Sequence, residues 1–450
     1  MQLSDGCHSP KKILFISAAA DGHFYPLTGL AKHLQSLGHD VRWFTQSFYQ
    51  EKLTKLGIPH YPYVYAPQIN QENFPTFFAE REQQKSQLAK FKFDLEYVFI
   101  NPLHEGVKDL ENIYNEFAFD IVVADIFSFI IPIVKARFKV PVIAVGVIPL
   151  MHSSRHLPPA GLGMLPASSF LGRLKHSMMR WMTDKIMFAK LNKLYRDVIA
   201  VYGAHYPGKN MFDILYDSAD IVLQSCTPAF EYKSSDLPSN IRFAGPMLPY
   251  TVNKGWTPWY DDRLTAFDTV IIVTQGTVEK DVNKLLVPAL EAFKDSDVLV
   301  ICTTGGSQTR ELRQQFIAQN IIIEDFIPFA DIMPYADAYI TNGGYGGVML
   351  GIQNELPLVV AGVHEGKVEI CARVGYFNYG INLKTETPKP HQIRKAITEV
   401  LSNPVYKMNV QRLRAEFGHY NANELCAQYV SHLCEKPVRE LQRSKVPGKI

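Results

Sequence analysis

The feature that most constrains this chain is a rhythm in residues 11–45. An uncharged apolar run at 13–17 (ILFIS) ends in the turn AAADGHFYP. Apolar residues then recur at helical spacing, at Leu27, Leu30, Ala31, Leu34 and Leu37. Gly38 closes that helix as a C-terminal stop, and a second strand follows at 41–45. Strand, helix and strand in that order form a βαβ unit, which commits the chain to a parallel sheet covered by helices.

The pattern recurs. Strands are expected at 120–127, 140–149 and 219–225, and again at 268–278, 297–306, 320–328, 338–344 and 356–363. Residues 282–293 carry a helical period, as do 391–402 and about 405–434. Between the two sets lies GPMLPYTVNKGWTPWYDD (245–262), rich in Pro, Gly and aromatic residues, which marks a linker. At 450 residues the chain exceeds what one core fills. The expectation is α/β: a domain at 1–245, a linker at 246–264 and a domain at 265–414, each a Rossmann-like, doubly wound parallel sheet, with a last helix at about 415–435. Two such sheets invite a ligand into the cleft at their strand C-termini.

Composition narrows the functions. With 46 basic and 44 acidic residues the net charge is +2, so there is no electrostatic case for nucleic acid. Six cysteines without C-x-x-C spacing read as reduced thiols, neither a disulfide framework nor a metal site. The N-terminal run is too short for a signal peptide or membrane span, so no transmembrane segment and a cytoplasmic location are expected.

Four strand ends carry candidate chemistry. His23 follows the first strand, where a neutral imidazole could take a proton from a hydroxyl, and Asp125 in VVADIF could orient it. The alternatives are a helix-capping histidine and a strand-end aspartate bonding a loop amide. In TNGGYGGVMLGI, Gly343, Gly344, Gly346 and Gly347 allow close backbone approach at a helix N-terminus, with Asn342 as an added donor. A plain strand-to-helix turn is the alternative, though it needs fewer glycines. The stretch is neither a Walker loop nor GxGxxG. QGTV (275–278) offers Gly276 and Thr277 to the same anion, and VHEGK (363–367) is either a set of hydroxyl-bonding groups or a solvated loop.

GHFYPLTGLAKHLQSLGHDVRWFT resembles the N-terminal signature of family 1 glycosyltransferases of GT-B fold, and residues 326–376 resemble that family's donor-binding motif. The likeness runs from about 11 to about 430. It is strongest to bacterial flavonoid glycosyltransferases, a rhamnosyltransferase subgroup in particular, on PPAGLG, VTQGTVEK, EDFIPFADIMPYAD, TNGGYGGVMLGI and VVAGVHEGK. The resemblance implies inverting, metal-independent sugar transfer with a nucleotide-sugar cosubstrate and no other cofactor. It makes His23 the general base and Asp125 its partner, and it rests the nucleobase of the donor near Phe326, Ile327 and Pro328. It carries donor contacts to Gly276, Thr277, Asn342, Gly343, Gly344, Gly346, Gly347, Val348, Leu350, Glu365, Gly366 and Lys367. The final helix would cross back to the N-terminal domain.

Departures from the family pattern shift the donor. Asn342 stands where the family has histidine, and Leu350 where it has a ribose-binding glutamate. A leucine cannot accept from a ribose 2′-hydroxyl, which points to a deoxythymidine diphosphate sugar ahead of a UDP-sugar. Gly366 and Lys367 replace the Asp-Gln pair that reads sugar hydroxyls, consistent with a 6-deoxy sugar such as L-rhamnose, with Glu365 taking over hydroxyl contacts. On the acceptor side, IPHYPYVYAP (58–67), NFPTFF (73–78) and the segment 150–185 form an apolar mouth for a flat phenolic acceptor, a part of the core, or a membrane-docking face. UDP-glucose-dependent transfer to phenolic or terpenoid acceptors, a sugar-nucleotide epimerase and a non-catalytic partner protein are the competing readings. The oligomeric expectation is a monomer or weak dimer.

Overall fold

The computed structural model describes residues 9–69, 73–250, 258–276, 278–364 and 366–435. Among them the chain forms two parallel sheets. The first comprises β1 (Lys12–Ile16), β2 (Asp40–Thr45), β3 (His60–Pro62), β4 (Ile121–Asp125), β5 (Val142–Gly146), β6 (Ile221–Gln224) and β7 (Ile241–Phe243). Their spatial order is β3-β2-β1-β4-β5-β6-β7. The second comprises β8 (Thr269–Thr274), β9 (Val298–Thr303), β10 (Ile321–Glu324), β11 (Ala338–Thr341), β12 (Leu358–Val360) and β13 (Gly380–Asn382), in the order β10-β9-β8-β11-β12-β13.

Both orders reverse once, between β1 and β4 and between β8 and β11. At such a reversal the loops leaving the two strands diverge to opposite faces and open a crevice at the carboxyl ends. His23 lies just past β1 and Asp125 ends β4; Gly276 lies just past β8 and Asn342 just past β11. The topology therefore carries two sequence-distant pairs to the two crevices.

Helices cover both faces of each sheet, and strands such as β4 and β5 are buried along their whole length, as two-sided burial requires. The helix Asp21–Ser36 packs Phe24, Leu27, Leu30 and Leu34 on the first sheet. The region at about 405–434 is two helices, Pro404–Phe417 and Ala422–Glu435. The first ends at Gly418, and Asn421 restarts the second by accepting from the Glu424 N–H at 3.2 Å. That break lets Ala422–Glu435 cross to the first domain, where Cys426, Ala427, Val430 and Leu433 join the core of Phe15 and Leu27.

Strands β3, β7 and β13 were not legible as strands: each has three residues and lies at a sheet edge, too short for a period to register. Residues 251–257 of the linker lie outside the described residues. Among the described cysteines, all are free thiols. Among the described residues, no helix is long and apolar enough to cross a membrane and no group of three His, Cys, Asp or Glu is arranged to hold a metal ion.

Candidate active site

The first crevice holds a histidine–aspartate pair. His23 Nδ1 lies 2.9 Å from Asp125 Oδ1. The Asp125 side chain is fully buried, whereas that of His23 is 22% exposed. Burial works against protonating His23, but the charge of Asp125 and its hydrogen bond outweigh it, so the imidazole is held above its usual value. With Asp125 ionised, Nδ1 carries the proton and donates it, which leaves Nε2 as the basic nitrogen. His23 is no capping residue: it sits within Asp21–Ser36, whose N-cap is Ala20.

His23 lines a cavity of about 580 Å³. Its walls are mainly apolar: Phe44, Tyr63 and Ile69 from one side, Phe74, Val98 and Phe99 from another, and Phe127 and Phe129 beyond Asp125. Phe127 stands against the His23 ring, with centroids 5.7 Å apart. The volume is that of a small-molecule site. Two cavity residues, Val278 and Lys280, come from the second domain, so the cavity spans the cleft between the sheets. Phe326, Ile327 and Pro328 do not line it; Phe326 is 67% exposed and Ile327 is 5% exposed. The second domain reaches this cavity through the segment after β8.

The second crevice is built from backbone. The helix Tyr345–Gln353 begins at Gly344, with no side chain capping its first N–H groups, so those groups remain to face an anion. Gly343 has φ +80°, and a Cβ there would stand 2.3 Å from Cys371 Sγ. At Gly362, past β12, a Cβ would stand 2.2 Å from the Asn342 carbonyl oxygen. Gly362 thus lets the chain end of β12 approach that of β11, and Gly343 lets the turn approach the helix Lys367–Tyr376. Gly346, by contrast, is exposed with nothing within 4 Å of its missing Cβ. Its smallness serves open space above the helix start. Gly347 is intermediate, 3.3 Å from the Tyr339 hydroxyl on the same measure.

Asn342 donates its side-chain amide to the Gln275 carbonyl, pinning the glycine turn to the turn that holds Gly276 at φ +74°. Thr277 and Glu365 lie outside the described residues. Gly366 is exposed at φ +77° and begins the helix Lys367–Tyr376. Val348 is fully buried, and its N–H bonds the Gly344 carbonyl at 3.0 Å; neither group is left for a ligand. Leu350 is half-buried and packs on the core of the second domain.

The two domains are also locked near the site by a buried ion network. Arg373 donates to Glu231 Oε2 from Nε at 2.9 Å and Nη2 at 2.7 Å, and to Glu369 Oε2 from Nη1 at 2.8 Å. The remaining carboxylate oxygens hold the loop between β5 and the following helix. Glu231 Oε1 accepts from the Leu150 N–H at 3.0 Å, and Glu369 Oε1 from the Gly161 and Gly163 N–H groups at 2.8 and 2.9 Å. A Cβ at Gly163 (φ +60°) would stand 2.3 Å from Val368 Cγ2. Thus PPAGLG is a contact sequence for the other domain. Glu369 and Arg373, one turn apart in the apolar stretch KVEICARVGY, were the unread signal. Tyr345 adds a tie, donating to the Ser225 carbonyl at 2.7 Å.

Two doubly wound domains with facing switch points, a side-chain dyad on one and a glycine turn on the other, define the GT-B architecture. Residues 288–433 match the family described as erythromycin biosynthesis protein CIII-like, C-terminal domain. The chain is 32% identical over 416 residues to 4′-demethylrebeccamycin synthase of Lentzea aerocolonigenes, covering 91% of this chain and 96% of that one. It is 29% identical to UDP-glucosyltransferase 1 of Beauveria bassiana (strain ARSEF 2860), covering 90% and 91%. Similar solved structures include the calicheamicin glycosyltransferase CalG4 (TM-score 0.73, 20% identity, 95% of this chain and 98% of that one). The spinosyn rhamnosyltransferase SpnG complexed with thymidine diphosphate is another (TM-score 0.65, 13% identity, 93% and 99%). The chain belongs to the family 1 glycosyltransferases and is a nucleotide-sugar-dependent glycosyltransferase.

Proposed function

We propose that this enzyme transfers L-rhamnose from dTDP-rhamnose, with inversion, to a hydroxyl of a small aromatic acceptor of the flavonoid kind. The observation that carries the reading is the 2.9 Å His23–Asp125 pair facing an aromatic-walled cavity that spans the cleft. His23 Nε2 takes the proton of the acceptor hydroxyl as its oxygen bonds the anomeric carbon. The bond from that carbon to the diphosphate breaks, and the nucleoside diphosphate leaves with the electron pair. Asp125 holds the resulting imidazolium. The diphosphate rests on the N–H groups at the start of Tyr345–Gln353, with Gly276 on its other side. The nucleobase of the donor rests near Phe326, Ile327 and Pro328, of which Phe326 is 67% exposed. The chemistry as drawn uses no metal and no cofactor beyond the nucleotide sugar.

Leu350 carries the choice of nucleotide. Its half-buried side chain offers a ribose 2′-hydroxyl no acceptor, and leaving that hydroxyl unpaired costs about 1–3 kcal/mol. A thymidine diphosphate bound to one structural neighbour is in keeping with this. Side-by-side kcat/KM for dTDP-rhamnose, UDP-rhamnose and UDP-glucose with one phenolic acceptor tests the donor. dTDP-rhamnose should lead; a clear preference for UDP-glucose would overturn it.

A further inference from the structure

The helix Phe170–Met182 presents its apolar side to solvent. Phe170, Leu171, Leu174, Met178, Trp181 and Met182 are 71, 75, 58, 57, 58 and 44% exposed. At about 100° per residue they fall in a single arc of about 120°. The opposite side holds the helix to the protein: His176 is buried, and Arg180 donates to the carbonyls of Leu157 and Arg155. An apolar arc of this width ordinarily faces a core, and one left facing outward marks an interaction surface.

Packed rings link this helix to the cavity wall. Ile186, in the wide turn Thr183–Met187 that extends the helix, is 62% exposed. Phe188 follows and meets Phe91 edge-on, with centroids 6.2 Å apart. Phe91 belongs to the helix Gln87–Asp94, which runs directly into Val98 and Phe99 of the cavity.

Charge identifies the occupant. Arg173 and Lys175 are exposed and border the apolar arc on its two sides, and exposed Lys185 lies beyond its end. Between 166 and 190 the sequence holds one acidic residue, Asp184. A second copy meeting this face symmetrically would set basic residues against basic residues, whereas lipid phosphates would pair with them. An aromatic and aliphatic face bordered by Arg and Lys is the pattern of a helix lying in a membrane interface. We infer that Phe170–Met182 docks the enzyme on an anionic lipid surface, with the mouth of the acceptor cavity close to the bilayer.

Cosedimentation of the full chain with vesicles of mixed phosphatidylcholine and phosphatidylglycerol, against phosphatidylcholine alone, tests this. The enzyme should bind the mixed vesicles more tightly, and Trp181 emission should move to the blue. Leu174→Glu and the double variant Arg173→Glu, Lys175→Glu should each weaken binding about tenfold or more. Turnover of a water-soluble phenol without vesicles should be unchanged in both. Trp181→Phe should retain binding and lose the emission shift. Failure of the wild type to bind the mixed vesicles would overturn the inference. So would a dimer in solution that Leu174→Glu abolishes, since it would make a second copy the occupant.

Discussion

The two switch points of this enzyme solve one geometric problem with opposite materials. At the end of β1 and β4 the site is made of side chains: one imidazole and one fully buried carboxylate, 2.9 Å apart. At the end of β8 and β11 it is made of main chain, with glycines clearing space and the Asn342 side chain serving to pin one turn to the next. In the proposed reaction proton transfer needs a titratable atom at one point, which only a side chain such as that of His23 supplies. A diphosphate is recognised by an array of N–H groups that any residue supplies, so there the sequence matters through what is missing.

Substitutions can break this contrast. On the side-chain half, Asp125→Asn keeps the shape but replaces an acceptor with an amide that can donate to Nδ1, which favours the tautomer with the proton on Nε2. kcat should fall about 10²–10⁴-fold with donor affinity unchanged, as read from steady-state kinetics and nucleotide titration. The tie between the halves comes next. Arg373→Met strands Glu231 and Glu369 as buried charges and should destabilise the protein by about 3–5 kcal/mol in urea unfolding.

Within the backbone half the glycines should separate. Gly343→Ala, with positive φ and Cys371 Sγ in the way, should cost about 1–3 kcal/mol of stability. Gly346→Ala meets nothing, so its stability should hold or rise by up to about 1 kcal/mol from helix propensity. Its affinity for dTDP should nevertheless drop if a phosphate sits above that residue. Equal affinity for wild type and Gly346→Ala would move the diphosphate elsewhere.

The smallest effect is the pH limb. A base must be neutral, and Asp125 raises the pKa of His23, so kcat/KM should climb with pH through a value above the ordinary 6.5 of histidine. The stability contribution has the opposite slope. The charged pair is fully formed below the unfolded-state pKa and is lost as pH rises through the folded one.

Legibility in the sequence divides along the same line. The βαβ rhythm, the long strands and the positions of His23, Asp125 and the glycine turn were readable because each depends on local spacing or on a strand's last residue. The edge strands β3, β7 and β13 were not, because three residues make no period. Val278 and Lys280 on the cavity could not be read, because they arrive from the other domain. Nor could the Glu231–Arg373–Glu369 network, whose members are separated by up to 142 positions. The outward apolar arc of Phe170–Met182 is another case: its spacing is amphipathic, but nothing in the spacing says which side faces the protein. The glycines looked alike in sequence, and only packing tells Gly343 from Gly346.

The central claim is that His23 removes the acceptor proton in sugar transfer. It is tested most directly by nucleoside diphosphate release from dTDP-rhamnose in the presence and absence of a phenolic acceptor, for wild type and His23→Ala together. Wild type should release nucleotide in an acceptor-dependent way, and the variant should be slower by about 10²–10⁴-fold while binding dTDP equally well. Equal acceptor-dependent rates in the two proteins would contradict the account.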